Sequence, residues 1–198
     1  MLRINDYVKD IEQIVDTFDK KPILVGHSMG GFIVQKYLEK NSVPGAVLMV
    51  SVPPFGIWNA TFSVLKNFPG AFIKANLTLN LKHVVNSNYK YKHILCTDEF
   101  SDKDIEEYLK LIDTESYIAY VDMLGLNLVN VKKVMKNKTP LLILGGGKDA
   151  VLSRKSVLKT AKKYNTEAIF FEDMPHMMLL SPNYSKVADK IIDWIENL

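Results

Sequence analysis

PILVGHSMGGFIVQKYLEK, residues Pro22 to Lys40, joins a short apolar run to a cluster of small residues and then to an amphipathic run. Ile23-Leu24-Val25 has the length and character of a buried strand bounded by proline and glycine. Ile33, Val34, Tyr37 and Leu38 recur at helical spacing, so a helix is expected from Met29 to about Lys40. Between the two, Gly26-His27-Ser28-Met29-Gly30 fits the pattern G-x-S-x-G. With ordinary Gly and Ser usage, such a pentapeptide arises by chance in roughly a few per cent of chains this long. The context adds the information, because the motif leaves a strand and opens a helix, where a sharp turn lifts a serine above the strand ends. A side chain at position 26 or 30 is expected to crowd the turn, and Gly31 to let the helix pack close to neighbouring strands. Ser28 is therefore a candidate nucleophile, and the Met29 N–H, at the positive end of the helix, a candidate oxyanion donor.

Alternation extends outward from this stretch. Ile4, Tyr7, Val8, Ile11, Ile14, Val15 and Phe18 predict a preceding helix, with Asn5 as its N-cap and Lys20-Lys21-Pro22 as its end. Ala46 to Val50 predicts a second buried strand. Helix, strand, helix, strand implies a parallel sheet with covering helices, an α/β fold. From Phe55 to about Lys138 no strand of the buried type is found. That region predicts helices instead: apolar Trp58 to Leu81, a helix capped by Ser101 with Asp104 at the capping-box spacing, and one from Thr114 to Leu124 closed by Gly125. Alternation resumes with strands Leu141–Leu144 and Ala168–Phe171, a helix Ser153–Tyr164 and a last helix opened by Pro182. The expected plan is an α/β body from residues 1–54 and 139–198 with a helical insertion, a cap or lid, at 55–138.

Length and charge narrow the classes. At 198 residues the chain suits one domain with an inserted subdomain, and is long enough to bury a substantial core. A net charge of +3 gives no argument for nucleic acid, and the densest basic run, Lys132, Lys133, Lys136 and Lys138, reads as a solvated face. The single cysteine, Cys96, excludes an internal disulfide and suits a reducing compartment. No apolar run reaches the ~18 residues of a membrane span. Asp6, Lys9 and Asp10 interrupt any signal-peptide core, so a cytoplasmic location is expected.

A serine hydroxyl needs a base, and the chain has four histidines. His27 sits inside the turn, where its ring is expected to point away as a structural residue, and His83 and His93 lie among Lys and Asn and read as surface. His176, in EDMPHMM just past the last strand, emerges at the same sheet end as Ser28 and is the expected base. The orienting carboxylate is expected from Asp149, which leaves a strand through Gly145-Gly146-Gly147-Lys148. Asp173 competes, but three residues from His176 on one loop it is poorly placed to reach the far ring nitrogen. No metal-ligand spacing is present, and no cofactor is implied.

PILVGHSMGG, TPLLILGGGKDAV and MPHMMLLSP, in that order and context, resemble the α/β-hydrolase superfamily, in its capped, esterase- or lipase-like form. The resemblance implies a Ser28-Asp149-His176 triad, an acyl-enzyme and a helical cap over the site. A serine in the turn sets the chain apart from the dehalogenase and epoxide-hydrolase relatives, which use aspartate there. The family also carries strands, and a loop with a second oxyanion donor, ahead of the first helix. Nothing ahead of Ile4 accommodates them, so the chain is expected to match the later part of the fold and to leave the Ile23–Val25 strand edge open to self-association or to a partner. Phe55, Trp58, Met123 and Met177 are expected to line a pocket for a small apolar ester or acyl substrate. A non-catalytic binding protein on the same fold is the alternative, and a serine peptidase would use the same three residues.

Overall fold

In the computed structural model, which describes residues 1–198, every strand lies outside the segment from 55 to 138. The first helix, α1 (Ile4–Val15), has Arg3 as its N-cap and so starts two residues earlier than expected. Asp6, not Asn5, satisfies its entry by accepting the Arg3 N–H at 2.9 Å. Strand β1 (Leu24–His27) leads into α2 (Met29–Tyr37), and β2 (Ala46–Met49) follows. Ten- and eight-residue helices then succeed one another: α3 (Trp58–Asn67), α4 (Pro69–Thr78), α5 (Asn88–Leu95) and α6 (Asp102–Leu111). Ser101 caps α6 by accepting the Asp104 N–H at 3.1 Å, as its sequence predicts.

The next helix departs from expectation. Ser116, not Thr114, is the N-cap of α7 (Tyr117–Val121), and the chain continues through a π turn, Asp122–Leu126. The reason lies in tertiary contacts. Ser116 Oγ donates to the Leu2 carbonyl, and Asp122, fully buried, accepts from the Arg3 guanidinium and from the Ile4 N–H at 3.1 Å. The start of α1 is thus bound to the far end of the helical segment. After α8 (Val131–Lys136), with its lysines 132, 133 and 136 solvated, come β3 (Leu141–Gly146), α9 (Arg154–Lys163), β4 (Ala168–Phe171) and α10 (Tyr184–Glu196).

The strands pair in parallel in the order β1-β2-β3-β4, with Leu24 opposite Ala46, Ala46 opposite Leu141 and Ile143 opposite Ala168. Parallel strands need both faces covered, and β2 shows it. Ala46 and Leu48 enter a core with Ile4, Phe32 and Val157, whereas Val47 and Met49 enter another with Leu144, Met178 and Val187. All four β2 residues are buried for that reason. β3 runs two residues beyond the expected Leu144, because Gly145 and Gly146 pair with Phe170 and Phe171 instead of ending the strand. The strands all point the same way, so the segments after His27, Gly146 and Phe171 emerge at one sheet end.

Candidate active site

Ser28 stands between β1 and α2 with φ 51° and ψ −119°, a left-handed backbone that a non-glycine residue adopts only under constraint. The constraint is visible. Its N–H donates to Met49 O at 3.1 Å, and its carbonyl accepts from Gly31 at 3.1 Å and from Val52 at 3.0 Å. Close packing behind the turn needs two of the glycines. A Cβ on Gly26 would lie 2.6 Å from Gly31 Cα, and one on Gly31 would lie 2.3 Å from Ser51 Oγ. The expectation for Gly30 is corrected, since a Cβ there meets nothing within 4 Å.

His176 is brought over Ser28 by the loop after β4. Its Nε2 lies 2.9 Å from Ser28 Oγ, and its Nδ1 lies 2.9 Å from Asp149 Oδ2. The side chain of Asp149 is fully buried, and its other oxygen accepts the N–H groups of Val151 at 2.7 Å and Leu152 at 2.9 Å. With the carboxylate so held, the proton on His176 belongs at Nδ1, and Nε2 is left to accept from the serine hydroxyl. Asp173, the competitor, is mostly exposed and faces Lys148 at 3.7 Å. The glycines of β3 and its exit let the histidine loop approach. A Cβ on Gly146 would lie 2.6 Å from Met174 O, and one on Gly147 2.3 Å from Glu172 O.

His27 does not point away. Its ring centroid is 5.0 Å from that of His176, and its Nε2–H donates to the His176 carbonyl at 2.9 Å. Burial, with the neighbouring His176 second, lowers its pKa to about 4, so it is neutral at neutral pH. The sequence places His27 beside Ser28 but carries no sign of the loop, 149 residues away, that it touches.

Ser28, Met29 and His176 open onto a cavity of about 480 Å³. Of its 32 lining residues 20 are hydrophobic, among them Val64, Phe72, Ile94, Met123 and Met177. Two of the four expected lining residues, Met123 and Met177, are therefore there. Phe55 and Trp58 are not. The Phe55 ring lies under Lys159 Nζ at 4.2 Å, and Trp58 is 48% exposed and stacks on Phe62 at 5.8 Å. Helical phase explains the miss: Ile57, Ala60, Thr61 and Val64 form the inward row, and Trp58 and Phe62 fall outside it. His93, expected at the surface, is exposed and also borders the cavity, packed against Phe68 at 5.6 Å.

One lining residue has no signal in the sequence. Glu115 is open to the cavity's water but enclosed by protein on most sides, and this enclosure raises its carboxyl pKa, with His176 pulling the other way. No side chain of the protein hydrogen-bonds or pairs with it. Elsewhere, burial pushes the Cys96 thiol up to about 12, which leaves it an inert packing group.

Residues 1–183 match the family described as serine aminopeptidase, S33. The chain belongs to this α/β-hydrolase family. Among solved structures it is similar to the monoacylglycerol lipase of Paleococcus ferrophilus, at 17% identity and a TM-score of 0.65, covering 98% of this chain and 75% of that one. The esterase of Exiguobacterium antarcticum gives 17% and 0.68, covering 98% and 74%. The bromoperoxidase of Bacillus anthracis gives 18% and 0.70, again covering 98% and 74%. At these identities the likeness carries the fold and not the chemistry. No curated protein sequence matches the chain significantly.

Proposed function

We propose that the chain is a serine hydrolase that cleaves carboxylic esters of small apolar acids or alcohols, with Ser28, His176 and Asp149 as its triad. The observation that carries this reading is the unbroken run from Ser28 Oγ through His176 to the buried Asp149, two contacts of 2.9 Å, on the floor of an apolar cavity. In the proposed reaction His176 Nε2 takes the Ser28 proton as Oγ bonds to the ester carbon. The carbonyl electron pair moves to its oxygen, which receives the Met29 N–H, one of the first-turn donors of α2 that have no intrahelical partner. The imidazolium, stabilised by Asp149, returns the proton to the departing alkoxide. Water then attacks the acyl-enzyme with His176 again as base. No step calls on a metal or an organic cofactor. The helical segment at 55–138 serves as the cap that roofs the cavity.

A fluorophosphonate probe tests the assignment. Wild-type chain is expected to label and Ser28→Ala to remain unlabelled, while a folded wild type that fails to label would leave only the non-catalytic reading of the fold. A second reading of the substrate rests on Glu115, an unpaired carboxyl in the same cavity, and on the family's aminopeptidase description. It takes an aminoacyl group whose ammonium faces Glu115. Turnover of aminoacyl arylamides above that of p-nitrophenyl esters, lost in Glu115→Gln, would favour it over the ester reading.

A further inference from the structure

The helices over the cavity have a second face. On α3, Trp58, Phe62 and Leu65 recur at i, i+4 and i+7, and are 48%, 59% and 39% exposed. On α4, Ile73 and Leu77 are 55% and 81% exposed. The opposite rows of the same helices, Thr61 and Val64 on one and Phe72 and Ala75 on the other, line the cavity. Each helix therefore lines the cavity with one row of residues and shows an apolar row on another side. Exposed apolar residues scattered singly need no explanation, but a periodic row on adjoining helices does.

Charge says what fits it. The whole chain carries 22 acidic residues, yet none falls between Phe55 and Thr97, where there are five lysines at 66, 74, 82, 90 and 92. Lys66 and Lys74 stand on α3 and α4 themselves, exposed and without a carboxylate partner. Lys82 and Lys90 are turned onto the carbonyls of Ile112 at 2.8 Å and His83 at 3.0 Å. A row of Trp, Phe, Leu and Ile beside unpaired lysines, with no acid to repel an anionic surface, suits shallow insertion among lipid headgroups. No helix is long and apolar enough to cross a membrane.

We propose that the outer face of α3 and α4 docks on the surface of an anionic phospholipid bilayer. Trp58, Phe62 and Leu77 enter the headgroup boundary, and Lys66 and Lys74 meet the lipid phosphates. Docking is independent of the chemistry assigned to Ser28, and its test reads binding alone.

The test is co-sedimentation of the full chain with vesicles of phosphatidylcholine containing about 30% phosphatidylglycerol, against vesicles of phosphatidylcholine only. Binding is expected to the anionic vesicles and to weaken with salt. With Trp194→Phe removing the other tryptophan, Trp58 emission is expected to shift to the blue on binding. Lys66→Glu with Lys74→Glu is expected to lower partitioning about tenfold or more, and Phe62→Ser with Leu77→Ser to abolish the blue shift. None of these four residues lines the cavity, so unchanged fluorophosphonate labelling shows that the variants are folded; equal molar ellipticity serves if the wild type does not label. No binding to the anionic vesicles, or binding that neither pair alters, would overturn the proposal. So would a wild-type dimer in sedimentation velocity that Phe62→Ser dissociates, because the face would then belong to a second copy.

Discussion

At the scale of single residues, His27 ties the strand that carries Ser28 to the loop that carries His176. Its ring N–H holds His176 by its backbone carbonyl, while Asp149 and Ser28 hold the His176 ring. The tie has a cost in acid. In the unfolded chain His27 titrates near 6.5, and in the fold burial lowers it to about 4. The folded state thus binds its proton less readily, so stability is full above the unfolded value and is lost as pH falls from about 6.5 toward 4. At about pH 4.5 this single group is expected to cost on the order of 2 kcal/mol. Urea denaturation at neutral pH and at about pH 4.5 is expected to show a smaller acid loss in His27→Gln than in wild type. An equal loss in both would place the acid sensitivity elsewhere.

At the scale of elements, the turn depends on how closely α2 approaches β1 and the chain after β2. Gly31→Ala would drive a methyl to 2.3 Å from Ser51 Oγ, and the Gln35 amide that donates to that oxygen at 2.8 Å blocks retreat. A loss of about 1–3 kcal/mol is expected, as for overpacking generally. Gly30→Ala adds its methyl to open space and is expected to stay within about 0.5 kcal/mol of wild type. The pair separates two roles that G-x-S-x-G-G leaves merged, and thermal melts of the two variants read the difference. If both melt alike, the contact at Ser51 is not what requires glycine.

At the scale of the molecule, β1 is an outer strand of the sheet. Leu24 and Ser28 donate to Gly45 and Met49 across β2, so by alternation the backbone groups of Ile23, Val25 and His27 turn to the open side. Val25 there is 50% exposed. Such an edge templates pairing with another chain, and a lysine on it is a known deterrent. Val25→Lys is expected to reduce concentration-dependent light scattering while leaving fluorophosphonate labelling of Ser28 as in wild type. Scattering that does not fall would show that the Val25 edge does not drive association, the outer row of α3 and α4 being the next face to test.

What the sequence by itself determined is what local periodicity and turn chemistry encode. The parallel α/β plan, the strained serine between strand and helix, and the exits that carry Asp149 and His176 all follow from apolar runs and glycines a few residues apart. Tertiary structure alone decided what depends on residues far apart in the chain. His27 turned toward His176 because a carbonyl 149 residues away was there to accept its proton. Trp58 turned outward because α3 starts at that residue and sets its phase. The helix expected from Thr114 began at Ser116 because Leu2 and Arg3 hold that segment from the other end of the chain. Glu115 reached the cavity with no local pattern to announce it. Long-range contacts fix helix phase, cap choice and the path of a loop, and no window of neighbouring residues contains them.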